Sequence, residues 1–192
     1  MSENSKRGTS RPGGRTEAVR AAVAEAVLEL LKRGNASFSM AEVAELAGIH
    51  RSTLYRRWQT QADLVQEAMT LHAAKIIIPD NGNWKKDLRE LINTLAKFVE
   101  DPIEMAIVRT IIDPKNTNLA AQITEYWAPL MVQQASPIHK AIQRGEINNK
   151  IDPQMLFSLI LSPLLLQSLV MGSSISESYK KQLEQHILQL CI

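Results

Sequence analysis

The chain has 192 residues, of which 45% are hydrophobic and 22% are charged, and these ordinary values exclude a disordered or fibrous protein. Its length suits one small domain followed by one medium domain better than a single compact unit. The lone cysteine, Cys191, excludes an internal disulfide, and no His or Cys residues stand at metal-ligand spacing. We therefore expect no metal or cofactor, and a reducing, cytoplasmic location.

Positive charge is concentrated near the N-terminus. Residues 1–60 contain 10 Lys and Arg against 6 Asp and Glu, a net charge of +4, whereas residues 61–192 contain 12 against 14, a net charge of −2. A positive end favours a polyanion such as nucleic acid, because binding releases condensed counterions, although many ordinary solvated surfaces carry a similar excess. Residues 1–14 are polar and lack the apolar segment of a secretion signal, so we expect a flexible basic arm.

Helical periodicity recurs along the sequence and strand-like alternation does not persist, which predicts an all-α chain of about nine helices. The first helix is predicted from about Thr16 to Arg33. The second begins within Ser39-Met40-Ala41-Glu42, where the serine hydroxyl and the glutamate carboxylate can cap the helix reciprocally. Gly48 can adopt the positive φ that ends this short helix.

The third helix, from His50 to Trp58, has one apolar side and one basic side. Leu54 and Trp58 anchor it, and its remaining side chains are mostly polar or basic. A short helix, a tight glycine turn and a short basic helix form the helix-turn-helix pattern. The major groove of DNA admits such a helix, and arginine can reach N7 and O6 of guanine there. Thr60 is predicted to cap a fourth helix.

The segment from Phe38 to Trp58 closely resembles the helix-turn-helix of the TetR family of transcriptional regulators. The matching positions are Ala44, Ala47, Gly48, Thr53, Leu54, Tyr55 and Trp58, with a following helix that begins near Gln61. Residues 141–153 resemble the region that joins the seventh and eighth helices of many members. The resemblance implies an N-terminal three-helix helix-turn-helix domain at residues 15–75 and a C-terminal helical domain for dimerisation and ligand binding at residues 84–192.

The resemblance also implies which side chains contact double-stranded operator DNA. We expect the bases to be contacted by His50, Arg51, Ser52 and Arg56. The phosphates are expected to be contacted by Thr53, Tyr55 and Arg57, although Tyr55 suits a packing role equally. Arg11 and Arg15 would reach the backbone or minor groove, and the start of the second helix, at Ser39 and Met40, would hold a phosphate. Met40 and Gln61 stand where many members have Thr and Lys, so affinity is expected to depend more on the arginines and the arm. The full expected set is Arg11, Arg15, Ser39, Met40, His50, Arg51, Ser52, Thr53, Tyr55, Arg56, Arg57 and Gln61.

The second half of the chain contains five further helical segments after a Pro-, Gly- and Asn-rich boundary at residues 78–83. Prolines at 129 and 137 should kink or break the longest of them. The segments are predicted at about Trp84 to Val99, Pro102 to Asp113, Leu119 to Arg144, Met155 to Met171 and Glu177 to Leu190.

The helix from Met155 to Met171 is apolar on nearly all sides, which predicts that it is buried all round. Polar residues interrupt it and it falls short of the roughly 20 apolar residues that a membrane span needs, so no membrane association is expected.

The resemblance implies a homodimer in which the last two helices of each subunit form a four-helix bundle. Such a dimer would set two recognition helices against a roughly palindromic operator.

A ligand pocket is implied by the resemblance alone, among the fifth to eighth helices. Methionine and aromatic side chains there suit a small apolar or aromatic ligand, and they suit an ordinary core equally. The candidate residues are Met105, Arg109, Tyr126, Trp127, Met131, His139 and Phe157.

The expected function is a sequence-specific DNA-binding regulator, a repressor that a small-molecule ligand releases from its operator. A regulator of the same fold without a ligand, acting through a protein partner, is the alternative that the sequence leaves open. No catalytic residue is expected, because no Gly-rich phosphate loop follows a strand and neither a nucleophile elbow nor a paired His motif occurs.

Overall fold

A computed structural model describes residues 14–73 and 80–191, and the regular structure within these ranges is helical. The predicted all-α chain of about nine helices is confirmed, with one predicted helix divided in two. The helices are α1 Gly14–Lys32, α2 Met40–Leu46, α3 Arg51–Arg57, α4 Gln61–Ala73, α5 Trp84–Glu100, α6 Pro102–Ile112, α7 Thr117–Gln134, α8 Ser136–Gln143, α9 Pro153–Leu165 and α10 Glu177–Leu190. A 3₁₀ turn at Pro114–Asn116 precedes α7, and a π-helical turn at Leu166–Val170 extends α9.

The division of the predicted seventh helix lies at Ala135, between α7 and α8. Pro137 is in the first turn of α8, where its missing N–H has no intrahelical partner to lose. Pro129, by contrast, lies inside α7, and the helix continues through it. The two prolines predicted to kink or break one helix therefore act differently, and only Pro137 coincides with a new helix start.

A first core unites the helix-turn-helix with two later helices. Its buried residues come from α1 to α4, among them Val27, Leu54 and Leu64, and they pack with Ile107 of α6 and Leu119 of α7. The helix-turn-helix therefore does not bury its apolar surface alone. Residues more than thirty positions downstream of α4 complete its core.

A second core is formed by α5, α8, α9 and α10, with Leu88, Ile138 and Ile160 fully buried at its centre. The side chain of Asp87 is fully buried beside this core. The carboxylate of Asp87 accepts hydrogen bonds from the backbone and side-chain nitrogens of Asn81, at 2.6 and 2.9 Å, and Arg144 lies 3.6 Å away. These partners compensate the burial of the carboxylate and connect the start of α5 to the end of α8.

The prediction that the Met155 to Met171 helix is buried on all sides is wrong for the single chain. Leu156 and Ile160 are buried, whereas Met155 is 61% exposed and Leu159 and Leu166 are also exposed. By length and composition the Pro153–Val170 segment does reach the range of a membrane span, contrary to the sequence-based expectation. Its buried side packs into the second core, so the exposed side forms an apolar stripe on a folded domain.

The turn between α2 and α3 depends on Gly48, which has a φ of +65°. Its N–H donates to the carbonyl of Glu45, and the N–H of Ile49 donates to that of Ala44, at 3.1 and 3.0 Å. This pair of bonds is the Schellman motif, which satisfies the last carbonyls of α2. A Cβ at Gly48 would meet nothing within 4 Å, so the cost of a side chain there is backbone strain alone.

We predict that Gly48→Ala lowers the free energy of unfolding by about 1–2 kcal/mol, the cost of the left-handed conformation for a residue with a Cβ. Gly48→Asn should lose less, because asparagine tolerates this conformation better. Urea unfolding followed by circular dichroism measures both variants. Equal losses for the two substitutions would contradict the assignment of the cost to backbone strain.

Candidate nucleic-acid interface

Helix α2 begins with the predicted capping box. The hydroxyl of Ser39 accepts from the backbone N–H of Glu42 at 3.2 Å, and the Glu42 carboxylate accepts from the Ser39 backbone N–H at 2.7 Å and from its hydroxyl at 2.8 Å. These donated bonds hold the pKa of Glu42 below its ordinary value. The Ser39 hydroxyl is thus already engaged within the protein.

Helix α3 is fixed to the first core through one face. Leu54 is fully buried, and Trp58, which follows the last helical residue, is 5% exposed. Thr53 is half-buried, and the remaining predicted contacts on this segment are exposed: His50, Arg51, Ser52, Tyr55, Arg56 and Arg57. Tyr55, at 50% exposure, is closer to a surface contact than to a packing residue. The basic face of α3 therefore points away from the core.

The arginines on this face differ in their internal partners. Within the part of the chain that the structure describes, Arg51 and Arg56 form no ion pair with an acidic side chain. Arg57 instead donates to the hydroxyl and the carbonyl of Thr16, at 3.1 and 3.4 Å, and its guanidinium lies 6.0 Å from the ring of Trp58. Arg51 and Arg56 are consequently available to an external anion, while Arg57 is held towards the start of α1.

Thr16 is a residue of this surface that the sequence pattern did not single out. It lines a groove of about 560 Å³ between the start of α1 and the α2–α3 turn, together with His50, Arg56 and Arg57. Only its place beside the basic arm could have indicated it, since the contact with Arg57 spans 41 positions in sequence. The expected contact Arg11 lies outside the described residues, and so does the side chain of Arg15.

Two predicted DNA contacts are turned inward. The side-chain amide of Gln61 donates to the carbonyls of Ala36 and Phe38, both at 3.3 Å, so this amide already has partners within the protein. Met40 is half-buried and packs against the first core. Both side chains connect the start of a helix to its neighbours, which is a structural role.

Helix α4 begins with a second reciprocal cap and carries a carboxylate that joins three helices. The carboxylate of Asp63 accepts from the backbone N–H groups of Thr60 and Gln59, and these bonds lower the pKa of Asp63. The Thr60 hydroxyl accepts from the backbone N–H of Asp63, which is the cap predicted for Thr60. One turn later, Glu67 accepts from Nε of Arg20 at 2.7 Å and from the Trp58 indole N–H at 3.4 Å. Glu67 thereby links α1 and the end of α3 to α4.

Of the candidate ligand residues whose side chains are described, two lie in the second core and two line separate grooves. Met105 and Phe157 are buried in the second core, and Trp127 is half-buried with its ring centroid 5.7 Å from that of Phe98. Tyr126 lines a groove of about 310 Å³ between α4 and α7, and Arg109 lines a separate groove of about 290 Å³ between the end of α1 and α6.

Of the last two candidates of this set, one has a described side chain. His139 is exposed, with Nε2 of Gln154 3.5 Å from its Nε2. The side chain of Met131 lies outside the described residues. The structure of the single chain therefore favours core packing for the buried members, and it separates the exposed ones.

A seven-residue basic helix that faces outward, after a glycine turn and on an all-helical scaffold, defines a helix-turn-helix DNA-binding transcriptional regulator. Residues 22–68 match the family described as bacterial regulatory proteins of the tetR family, and residues 78–186 match the tetracyclin repressor-like C-terminal domain. The second match alone covers more than half of the chain, so the chain belongs to the TetR family of transcriptional regulators.

Curated relatives and solved structures agree with this assignment. The chain is 26% identical to an uncharacterized HTH-type transcriptional regulator, YdeS, of Bacillus subtilis, over 93% of this chain and 90% of that one. It is also 26% identical to a DNA-binding transcriptional repressor, TetR, of Mycobacteroides abscessus, over 90% and 92%. The fold is similar to that of a TetR family regulator from Marinobacter aquaeolei, with a TM-score of 0.68 and 15% identity over 92% of this chain and 96% of that chain.

We predict that Glu67→Ala lowers the free energy of unfolding by about 1–3 kcal/mol, because Arg20 and Trp58 both lose their acceptor. Urea unfolding monitored by circular dichroism measures the loss. The matched control is Glu45→Ala on α2, an exposed glutamate without a described side-chain partner, which should change stability by less than about 0.5 kcal/mol. An equal effect of the two substitutions would refute a structural role for the Glu67 bonds.

Proposed function

We propose that this regulator binds a specific operator by placing α3 in the major groove, and that it represses transcription in the cytoplasm until a small ligand releases it. The observation that carries the proposal is the outward position of Arg51 and Arg56, free of internal acidic partners among the described residues, on a helix anchored by Leu54. Arginine at such positions can donate two hydrogen bonds to one guanine, which provides sequence discrimination.

The remaining contacts follow from the positions of the side chains around this helix. His50 and Ser52 are exposed near the start of α3 and are proposed to contact bases, whereas Thr53, Tyr55 and Arg57 are proposed to contact phosphates. Thr16 holds the Arg57 guanidinium and joins the proposed surface. The basic arm at residues 1–14 would add contacts to the backbone or minor groove, because its charge favours the phosphate-rich duplex.

We further propose a homodimer through α9 and α10. The exposed stripe on α9 consists of Met155, Leu159, Leu166 and Val170, and Leu190 is exposed on α10. A contiguous apolar face of this kind is costly in water and marks a protein contact. A second copy supplies an equivalent face under two-fold symmetry, so the two stripes can cover each other in a four-helix bundle.

Release by a ligand is the proposed regulatory step, with residues 15–75 as the DNA-binding domain and residues 84–192 as the receiving domain. The repressor name of the Mycobacteroides abscessus relative and the shared core of α1 to α4 with α6 and α7 support this proposal. A ligand that enters among α5 to α8 would alter the packing of α6 and α7, and with it the position of α4. The ligand must bind more tightly to one position of α4 than to the other to have an effect.

Arg51→Ala is predicted to weaken operator binding by about tenfold or more, which corresponds to the 1–3 kcal/mol of one arginine-to-guanine pair. A gel-shift assay with the DNA upstream of the gene of this protein measures the dissociation constant. Lys97→Ala removes the same charge from an exposed position on α5 and should leave binding unchanged. A similar loss in both variants would indicate a general charge effect and contradict base contact by Arg51.

Leu159→Glu is predicted to convert the dimer into a monomer, because the two-fold axis would bring two glutamates into one apolar contact. The expected cost exceeds about 2 kcal/mol of association free energy, as for a central interface residue. Sedimentation velocity over a concentration series measures the assembly. Leu46→Glu, at an exposed leucine on α2, is the control and should remain dimeric. A dimeric Leu159→Glu variant would exclude this stripe as the interface.

A further inference from the structure

One polar contact joins the helix-turn-helix to the rest of the chain. Nε2 of His72, in the last turn of α4, lies 2.6 Å from Oε1 of Glu104, in the first turn of α6. Only 11% of the histidine side chain and 7% of the glutamate side chain are exposed. Among the side chains that the structure describes, it is the only hydrogen bond or ion pair between α1–α4 and α5–α10.

The carboxylate of Glu104 depends on this one partner. Its second oxygen, Oε2, is buried and has no hydrogen-bond partner among the described residues. Because a carboxylate only accepts, the Nε2–H of His72 is the donor. A displacement of α4 would leave both carboxylate oxygens buried and unpaired, which is strongly unfavourable.

The first core supplies apolar contacts between the two groups of helices. Ile107, Leu119 and Ile123 pack into it, and such contacts have little directional preference. A hydrogen bond of 2.6 Å tolerates only a narrow range of geometry. The His72 bond therefore adds a directional constraint on the end of α4 relative to the start of α6.

The same helix carries the contact that holds the recognition helix. Glu67 lies five positions before His72 on α4 and accepts the indole N–H of Trp58 at the end of α3. A shift at the His72 end of α4 is transmitted to α3, because the helix between the two residues is continuous.

We infer that His72 is a positioning residue: its hydrogen bond to Glu104 fixes α4 on α6 and thereby sets the affinity of α3 for the operator. The inference rests on the proposed operator binding. It assigns to one pair of side chains the coupling between the C-terminal helices and the DNA-binding surface.

The first experiment needs no DNA. Amide hydrogen exchange is compared in the full-length wild type, in His72→Leu, which removes the donor at similar volume, and in His72→Gln, whose amide can donate to Glu104. Exchange in α3 and α4 should accelerate in the leucine variant by about five- to tenfold, as for a coupling of ordinary size, and should return towards wild type in the glutamine variant. Unchanged exchange in α3 and α4 of His72→Leu overturns the inference.

The second experiment is a double-mutant cycle on the operator dissociation constant. His72→Leu and Glu104→Leu should each weaken binding by about five- to tenfold, and the double variant should be no weaker than either single variant. Additive losses, unchanged binding or tighter binding each overturn the inference.

Arg89→Met is the matched control for both experiments. It removes a pair with Glu184 at 2.8 and 3.1 Å that connects α5 to α10 within the C-terminal helices. This variant should leave exchange in α3 and α4 and operator affinity unchanged, and an effect equal to that of His72→Leu would overturn the inference.

The two experiments also separate the inference from the function on which it rests. Failure of the wild type to bind any upstream DNA would refute the proposed operator binding, and with it the effect on affinity. The exchange data would still decide whether His72 holds α4.

Discussion

The anchoring of α3 by Leu54 and Trp58 is the constraint on which the proposed function depends. A seven-residue helix is well below the length of about 12 residues at which an isolated helix becomes even marginally stable in water. Burial of these two side chains stabilises the helix and determines which face points outward. The Glu67 bond to the Trp58 indole and the Gly48 turn then hold its two ends. Without this anchoring, the exposed arginines would have no defined geometry.

The first core also explains why the DNA-binding helices are sensitive to the rest of the chain. Ile107 and Ile123, from α6 and α7, are fully buried among residues of α1 to α4, so the helix-turn-helix is not an independent folding unit in energetic terms. Apolar packing of this kind gives stability with little directional preference. The bond between His72 and Glu104 adds one directional contact between the same groups of helices.

The α9 stripe shows why an apolar helix can be half-exposed in a single chain. Leu156 and Ile160 pack into the second core, while Met155 and Leu159 on the other side are exposed. The apolar composition of this helix predicted burial on all sides, but composition does not distinguish coverage by the same chain from coverage by a second copy. For this reason the sequence-based expectation of full burial failed within one subunit.

The sequence by itself determined the local features: the helix starts at Ser39 and Thr60, the turn at Gly48 and the division of the anchored and exposed sides of α3. These depend on neighbours within about four residues, where capping and periodicity operate. Only the tertiary structure decided that Gln61 turns inward and that Arg57 bonds to the start of α1. It also decided which proline coincides with a break and which candidate ligand residues lie apart. These outcomes depend on contacts between residues distant in sequence, which only the packing of the helices brings together.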